Sequence, residues 1–118
     1  MDHGARSLGP SELRAALASP DPSVRARAIP RARPEPGVVD VLIEALRDAS
    51  PDVRRAAVRA LARTRGPKAT REIVRLSADD LSVSVRVEAV AALGRILAAR
   101  SGHQNDDDPA GPESGLRS

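Results

Sequence analysis

The side chains that could carry chemistry in this 118-residue chain are mostly charged, and arginine dominates them. Lysine and arginine number 19 together, of which 18 are arginine, against 16 aspartates and glutamates. The chain contains no cysteine and no aromatic residue. It therefore offers no thiolate for a zinc or iron–sulfur site, no thiol nucleophile and no aromatic platform on which unpaired bases could stack.

Few residues are candidates for catalysis. His3 and His103 lie in polar segments near the two ends, where we expect no catalytic or metal-binding role. Asp79 and Asp80 could hold a cation, but two carboxylates in one turn are more often capping and ladder groups. The sequence has no Ser/His/Asp set, glycine-rich phosphate loop or His–Glu metal pair. We expect no enzymatic activity, no metal and no cofactor.

Composition and charge divide the chain into three parts. Residues 1–9 show no periodicity and predict a flexible arm. Residues 101–118 are polar and rich in glycine and proline, with a net charge of −3, and predict a disordered acidic tail. The body, residues 10–100, is basic. Because no apolar run approaches the length of a membrane span and no leader is apparent, we expect a cytoplasmic domain that does not bind membranes.

The body repeats one pattern at an interval of about 30 residues. Segments 19–25, 48–54 and 80–86 each combine turn-forming residues with a final Val-Arg pair. Such self-similarity indicates stacked supersecondary units, each of two helices joined by a tight turn. The predicted units are about 11–36, 37–67 and 68–100.

The repeated segment contains the start signal of the second helix of each unit. Asp21, Ser50 and Ser82 stand at the N-cap, and Pro22 and Pro51 stand at the first helical position. The predicted helices are about 11–18, 22–29, 37–47, 51–64, 68–77 and 83–99.

These segments resemble HEAT repeats, and in particular the short bacterial type called PBS-lyase HEAT-like repeats. The resemblance is carried by SPDPSVR at 19–25, DASPDVRRAAVRALART at 48–64 and DLSVSVRVEAVAALGRIL at 80–97. They are similar to the family pattern Asp-Pro-Asp-Pro-x-Val-Arg…Ala…Ala-Leu-Gly. The resemblance covers about residues 11–100 and implies an all-α fold, a short solenoid of about three helical hairpins whose usual role is to hold other proteins.

Two departures from the pattern carry structural expectations. Pro30 lies inside the second helix of the first unit and should stop it near Ile29 or kink it, because proline removes a backbone donor and clashes with the preceding turn. The third unit has two extra residues at Asp79 and Asp80, which we expect to lengthen its turn.

The arginines separate into two groups when they are sorted by helical angle. Arg25, Arg54 and Arg86 share one repeat position at the edge of the core-facing arc. A guanidinium there needs carboxylates or carbonyls, and Asp48 or Asp80 lies in the adjoining turn. The family pattern implies a structural ladder; contact with a ligand is the alternative.

The second group lies on the far side of the helices. Arg55, Arg59 and Arg63 form a stripe, Arg27 and Arg31 form a neighbouring row, and Arg95 continues it. Charge of one sign attracts acidic surfaces or phosphates, so these six residues are the candidate binding face. The alternative is a solvated face that only keeps an alanine-rich protein soluble.

The sequence thus favours a non-enzymatic interaction module, a scaffold or adaptor, that binds an acidic protein surface through its basic face. Two alternatives stay open: binding of nucleic acid through its phosphates, and a role as the accessory subunit of a lyase-type enzyme. The last helix has apolar residues on more than one face, so self-association through it is a further expectation.

Overall fold

The computed structural model describes residues 6–64 and 66–107, and these residues form six α-helices and one 3-10 helix. The all-α class is confirmed. The helices are α1 Pro10–Ala16, α2 Pro22–Ala28, α3 Pro36–Ala45, α4 Pro51–Ala62, α5 Pro67–Asp79 and α6 Val83–Asp107, with the 3-10 helix Ile29–Arg31 after α2.

Helix starts follow from local sequence. The five helices α1 to α5 each begin with proline, whose missing N–H is not needed in the first turn. The predicted N-caps at Asp21 and Ser50 are confirmed: their side chains accept hydrogen bonds from the backbone N–H of Ser23 and Asp52 at 2.9 Å and 3.2 Å. The Ser82 hydroxyl instead lies 3.0 Å from that of Ser84.

The helices pair into three hairpins, which stack in two layers. In one layer α1 contacts α3 and α3 contacts α5, and in the other α2 contacts α4 and α4 contacts α6. A continuous core runs between the layers, and its largest fully buried side chains include Leu13, Ile29, Leu61, Ile73 and Ile96. The architecture is a short α-solenoid in which each unit packs on the next.

Pro30 ends the second helix as predicted. Helix α2 stops at Ala28, and the chain tightens into the 3-10 helix Ile29–Arg31, with Ile29 fully buried. A 3-10 turn tolerates the proline at its second position because it requires no donor there.

The expectation of a flexible arm over residues 1–9 is wrong at Leu8, while residues 1–5 lie outside the described residues. Leu8 is buried and makes two backbone hydrogen bonds at the end of the 3-10 helix. Its N–H donates to the carbonyl of Arg31 at 2.7 Å, and its carbonyl accepts from the N–H of Arg33 at 2.8 Å. The pairing covers the end of the core at the first unit.

Two expectations near the C-terminus are also corrected. Helix α6 continues to Asp107, so the predicted disordered tail 101–118 is helical in its first seven residues, and the rest lies outside the described residues. The hydrogen bonds of an existing helix propagate cheaply, which accounts for this continuation. The turn after α5 is not lengthened, because Asp79 is the last residue of α5 and Asp80 is its C-cap.

None of the helices in the described part of the chain is long and apolar enough to span a membrane.

Replacement of Leu8 by alanine should lower the free energy of unfolding by about 2 kcal/mol, because it removes buried methyl groups and leaves a cavity. Chemical denaturation measures the loss. The control is Leu81→Ala, since Leu81 is 95% exposed and should tolerate the change. Equal stability of the Leu8→Ala protein and the parent would contradict the docking of the N-terminal segment.

Candidate interaction surface

The ladder arginines hold consecutive units together through two-pronged hydrogen bonds. Arg25 of α2 donates from Nε and Nη2 to the two carboxylate oxygens of Asp48, both at 2.9 Å. Its Nη1 donates to the carbonyl of Ser19 at 2.8 Å. The guanidinium therefore joins the turn of its own unit to the turn of the next one.

Arg54 repeats this geometry one unit further along. Its Nε and Nη2 donate to Asp80 at 2.9 Å and 3.0 Å, and its Nη1 donates to the carbonyl of Asp48 at 2.8 Å. Two arginines in equivalent positions thus clamp the next unit in the same way. Asp80 is engaged by this clamp, so its carboxylate is not available for the cation site considered from the sequence.

Arg86 completes only the first part of the pattern. Its Nη1 donates to the carbonyl of Asp80 at 2.6 Å, which corresponds to the contacts of Arg25 and Arg54 with their own turns. Among the described residues its Nε and Nη2 have no acceptor, because no unit follows α6 there.

Burial and hydrogen bonding oppose each other in setting the pKa of the ladder carboxyls. Partial burial acts to raise the pKa of Asp48, but hydrogen bonds from Arg25 and from the N–H of Ser50, together with nearby positive charge, outweigh it. The pKa of Asp48 therefore lies below its ordinary value. The same balance lowers the pKa of Asp80, with hydrogen bonds from Arg54 and the N–H of Ser82.

The candidate binding arginines assemble where the layer of α2, α4 and α6 faces outward. Arg27, Arg55 and Arg59 line one open cleft of about 440 Å³ between α2 and α4, together with Asp21 and Asp52. The cleft crosses the boundary between the first and second units, so its lining depends on how these units stack.

Glu88 links this cleft to the third unit. Its side chain is largely buried, and its two oxygens lie 3.0 Å from Nε of Arg59 and 3.4 Å from Nη2 of Arg95. Helices α4 and α6 thereby bring Arg59 and Arg95 together. We call the surface formed by Arg27, Arg55, Arg59 and Arg95 the arginine face.

The other two predicted binding residues lie elsewhere. Arg63 lines a separate cleft with Pro34 and Thr64 at the far end of α4. Arg31 donates from Nε to the carbonyl of Arg6 at 3.1 Å and so supports the docked N-terminal segment. Of the two histidines, His3 and the side chain of His103 lie outside the described residues.

Carboxylates between the arginines are the feature that sequence reasoning missed. Oδ1 of Asp52 lies 3.7 Å from Nη2 of Arg55. The arginine face thus combines four guanidinium groups with three carboxylates and has a net charge of +1. The carboxylates are Asp21, Asp52 and Glu88. The i,i+3 spacing of Asp52 and Arg55 is a signal available from sequence. The Arg59–Glu88 pair joins residues from different units and has no local signal.

This geometry defines a class of protein: an α-solenoid with a charged outward layer and an arginine–aspartate ladder between its units. The family model of HEAT repeats matches residues 10–94, and the chain belongs to this family. No curated protein and no solved structure matches the chain. HEAT repeats serve as interaction or scaffold modules and are generally non-enzymatic.

Replacement of Arg54 by alanine should lower the free energy of unfolding by about 3 kcal/mol, because it leaves the buried Asp80 carboxylate without its partner. Urea denaturation measures the loss. The matched control is Arg14→Ala, which breaks the pair with Glu44, where the side chains are 58% and 62% exposed. That change should cost less than about 1 kcal/mol. Equal losses in the two variants would show that the ladder is not a structural element.

The ladder also makes stability depend on pH. Because folding lowers the pKa of Asp48 and Asp80, the stabilisation is complete above the unfolded-state value of about 3.9 and is lost as the pH falls through the lower folded-state value. The unfolding free energy should therefore decrease as the pH falls below about 5, and by less in Asp80→Asn than in the parent. Parallel pH curves for the two proteins would contradict this account.

Proposed function

We propose that this protein is a non-enzymatic adaptor that binds the acidic surface of a partner protein through the arginine face. The observation that carries the proposal is the convergence of Arg27, Arg55 and Arg59 on one open cleft that crosses two repeat units. A surface built by several units of a solenoid suits an extended partner better than a small ligand.

The guanidinium groups of this face differ in how firmly they are held. Arg59 and Arg95 share Glu88, whereas Arg55 faces the exposed Asp52 at 3.7 Å. Exposed pairs of this kind contribute little stability, so exchange of Asp52 for a carboxylate of the partner costs little. Arg55 is therefore the first of these guanidinium groups that a carboxylate of the partner engages.

The carboxylates interspersed among these arginines favour a protein over nucleic acid. A phosphate backbone presents negative charge at short regular intervals, and Asp21, Asp52 and Glu88 would repel it. A protein surface can place its acids opposite the arginines and its donors opposite these carboxylates.

The polar groups of the face also favour binding over catalysis. Glu88, the most buried acid there, is engaged by two arginines and is poorly placed to accept a proton from a substrate.

The test replaces Arg27, Arg55 and Arg59 by glutamine and measures binding to a fluorescein-labelled peptide of alternating glutamate and asparagine by fluorescence anisotropy over a salt series. Loss of three charges at the contact should weaken binding about tenfold. Binding by the parent should also weaken as salt rises, because ions screen exposed charges.

The matched control replaces three exposed arginines by glutamine and removes the same total charge. They are Arg14 on α1, Arg47 in the turn after α3 and Arg71 on α5. This control should retain binding to within about twofold, because these residues lie in the other layer of the solenoid. Equal weakening in both triple variants would refute a localised face. Tighter binding of a labelled DNA duplex than of the peptide, lost in the first variant alone, would favour the nucleic-acid alternative.

A further inference from the structure

The outer face of α6 differs in exposure from the same face of the helices before it. Ile29, Val58 and Val90 each stand four residues after a ladder arginine. Ile29 and Val58 are fully buried, because another unit stacks on them, whereas Val90 is 59% exposed. The position four residues after the ladder arginine is therefore buried in the first two units and exposed in the third.

The residues around Val90 do not form a cap. Terminal repeats normally carry a polar outer face, yet α6 has Val87 and Ala91 where the internal helix α4 has Arg55 and Arg59. The exposed apolar side chains on α6 follow one another at the spacing of a helix-packing seam. They are Val83, Val87, Val90 and Leu97.

Gly94 lies on this seam between Val90 and Leu97. A Cβ at Gly94 would meet nothing within 4 Å, so no contact within the described residues requires glycine there. Glycine inside a helix is less stable than alanine at the same position. A helix that packs closely from outside gives this glycine a use.

Arg86 adds a chemical requirement to the apolar seam. It lies beside Val87, Val90 and Ala91 along a shallow apolar cleft. Its Nη1 is fixed by the carbonyl of Asp80, and the two nitrogens that hold an aspartate in Arg25 and Arg54 have no acceptor among the described residues. The apolar seam thus ends at Arg86, whose guanidinium is oriented by its own turn and can bind a carboxylate through Nε and Nη2.

A second copy of the chain stacked on α6 does not supply a carboxylate to Arg86. Six residues before each ladder arginine stand Ser19, Asp48 and Asp80, so the first unit has serine where the other turns have the ladder aspartate. In the contact between α4 and α6, Arg59 pairs with Glu88. In a copy stacked end to end on α6, the corresponding residues would be Ala91 and Arg27 of the copy, so no ion pair would form there.

The acids of the C-terminal tail do not meet this requirement either. From Arg86 to Asp107 the axis of α6 rises about 31 Å at 1.5 Å per residue. Glu113 follows six residues later, and six extended residues span about 20 Å at most. The tail acids therefore cannot reach Arg86 alongside this helix.

We infer that the outer face of α6 is a second docking surface, distinct from the arginine face, for a helical hairpin of another protein. The partner hairpin carries an aspartate in the turn before its second helix, which binds Arg86 in two-pronged fashion. It presents a row of small or aliphatic residues that packs along Val87, Val90 and Gly94. The interface continues the contact that α4 makes with α6, with the partner in the place of a fourth unit.

The test uses a triple variant of this chain, called the donor protein, whose first unit supplies a carboxylate to Arg86 of the parent. Ser19→Asp supplies the turn carboxylate, Arg27→Ala supplies the small residue found in α4, and Val87→Arg blocks the donor's own α6. Sedimentation velocity over a concentration series should show the parent as a monomer, and a one-to-one complex when donor and parent are mixed.

Variants of the parent identify the contact. Arg86→Gln should weaken the complex about tenfold or more, since it loses a charge-assisted pair, and Val87→Arg should weaken it at least as much. Val74→Arg is the matched control, because Val74 is a half-exposed valine on α5, and it should leave binding unchanged. Circular dichroism verifies that each variant is folded.

Each remaining result would overturn the inference. Self-association of the parent would make a second copy the occupant. No complex between donor and parent would show that the surface does not bind such a hairpin. Equal binding by a donor that retains Ser19 would show that Arg86 does not select a carboxylate. Strong protection of amides on the outer face of α6 in the lone parent would show that the chain covers itself.

Discussion

The arginine clamp couples the fold within each repeat unit to the packing of one unit on the next, which could otherwise vary independently. In Arg25 and Arg54, Nη1 ties the helix to the turn that precedes it, while Nε and Nη2 bind the aspartate of the next unit. The alanine-rich helices offer smooth faces that could pack in several registers. A largely buried ion pair adds modest net stability, since desolvation opposes it, but a misplaced one is costly. We interpret the clamp chiefly as the device that sets the register of the stack.

The clamp also has a direction, and this makes the two ends of the molecule unequal. Each arginine points forward, so the first unit needs no aspartate and carries Ser19, while the last unit is left with an arginine, Arg86. The first end is closed further by Leu8, whose backbone pairs with Arg31 and Arg33 at the end of the 3-10 helix. The last end has Val87 and Ala91 where the internal helix α4 has Arg55 and Arg59. A directional interaction thus produces one finished end and one end that is complete only with a partner.

Features encoded within a few residues could be predicted from the sequence, and those made by distant segments could not. The caps at Asp21 and Ser50 and the interruption at Pro30 depend on the backbone next to them. The ladder could be predicted because the repeat places its arginines and aspartates in register.

Leu8 was missed because its partner segment begins 23 residues later, at Arg31, and has no pattern of its own. Glu88 was missed because its partner Arg59 belongs to another unit. The continuation of α6 was missed because residues 101–107 lack the apolar periodicity that marks packed helices.

The arginine face follows from the same stacking, and this bears on its specificity. Because Glu88 binds Arg59 of α4 and Arg95 of α6, the position of these charges depends on how the second and third units pack. Asp21 and Asp52 lie between the arginines of the neighbouring cleft. A uniformly acidic molecule meets repulsion at each of these carboxylates, whereas a surface with matching spacing does not. The interspersed acids lower the attraction for any one partner, and in return they exclude most anionic surfaces.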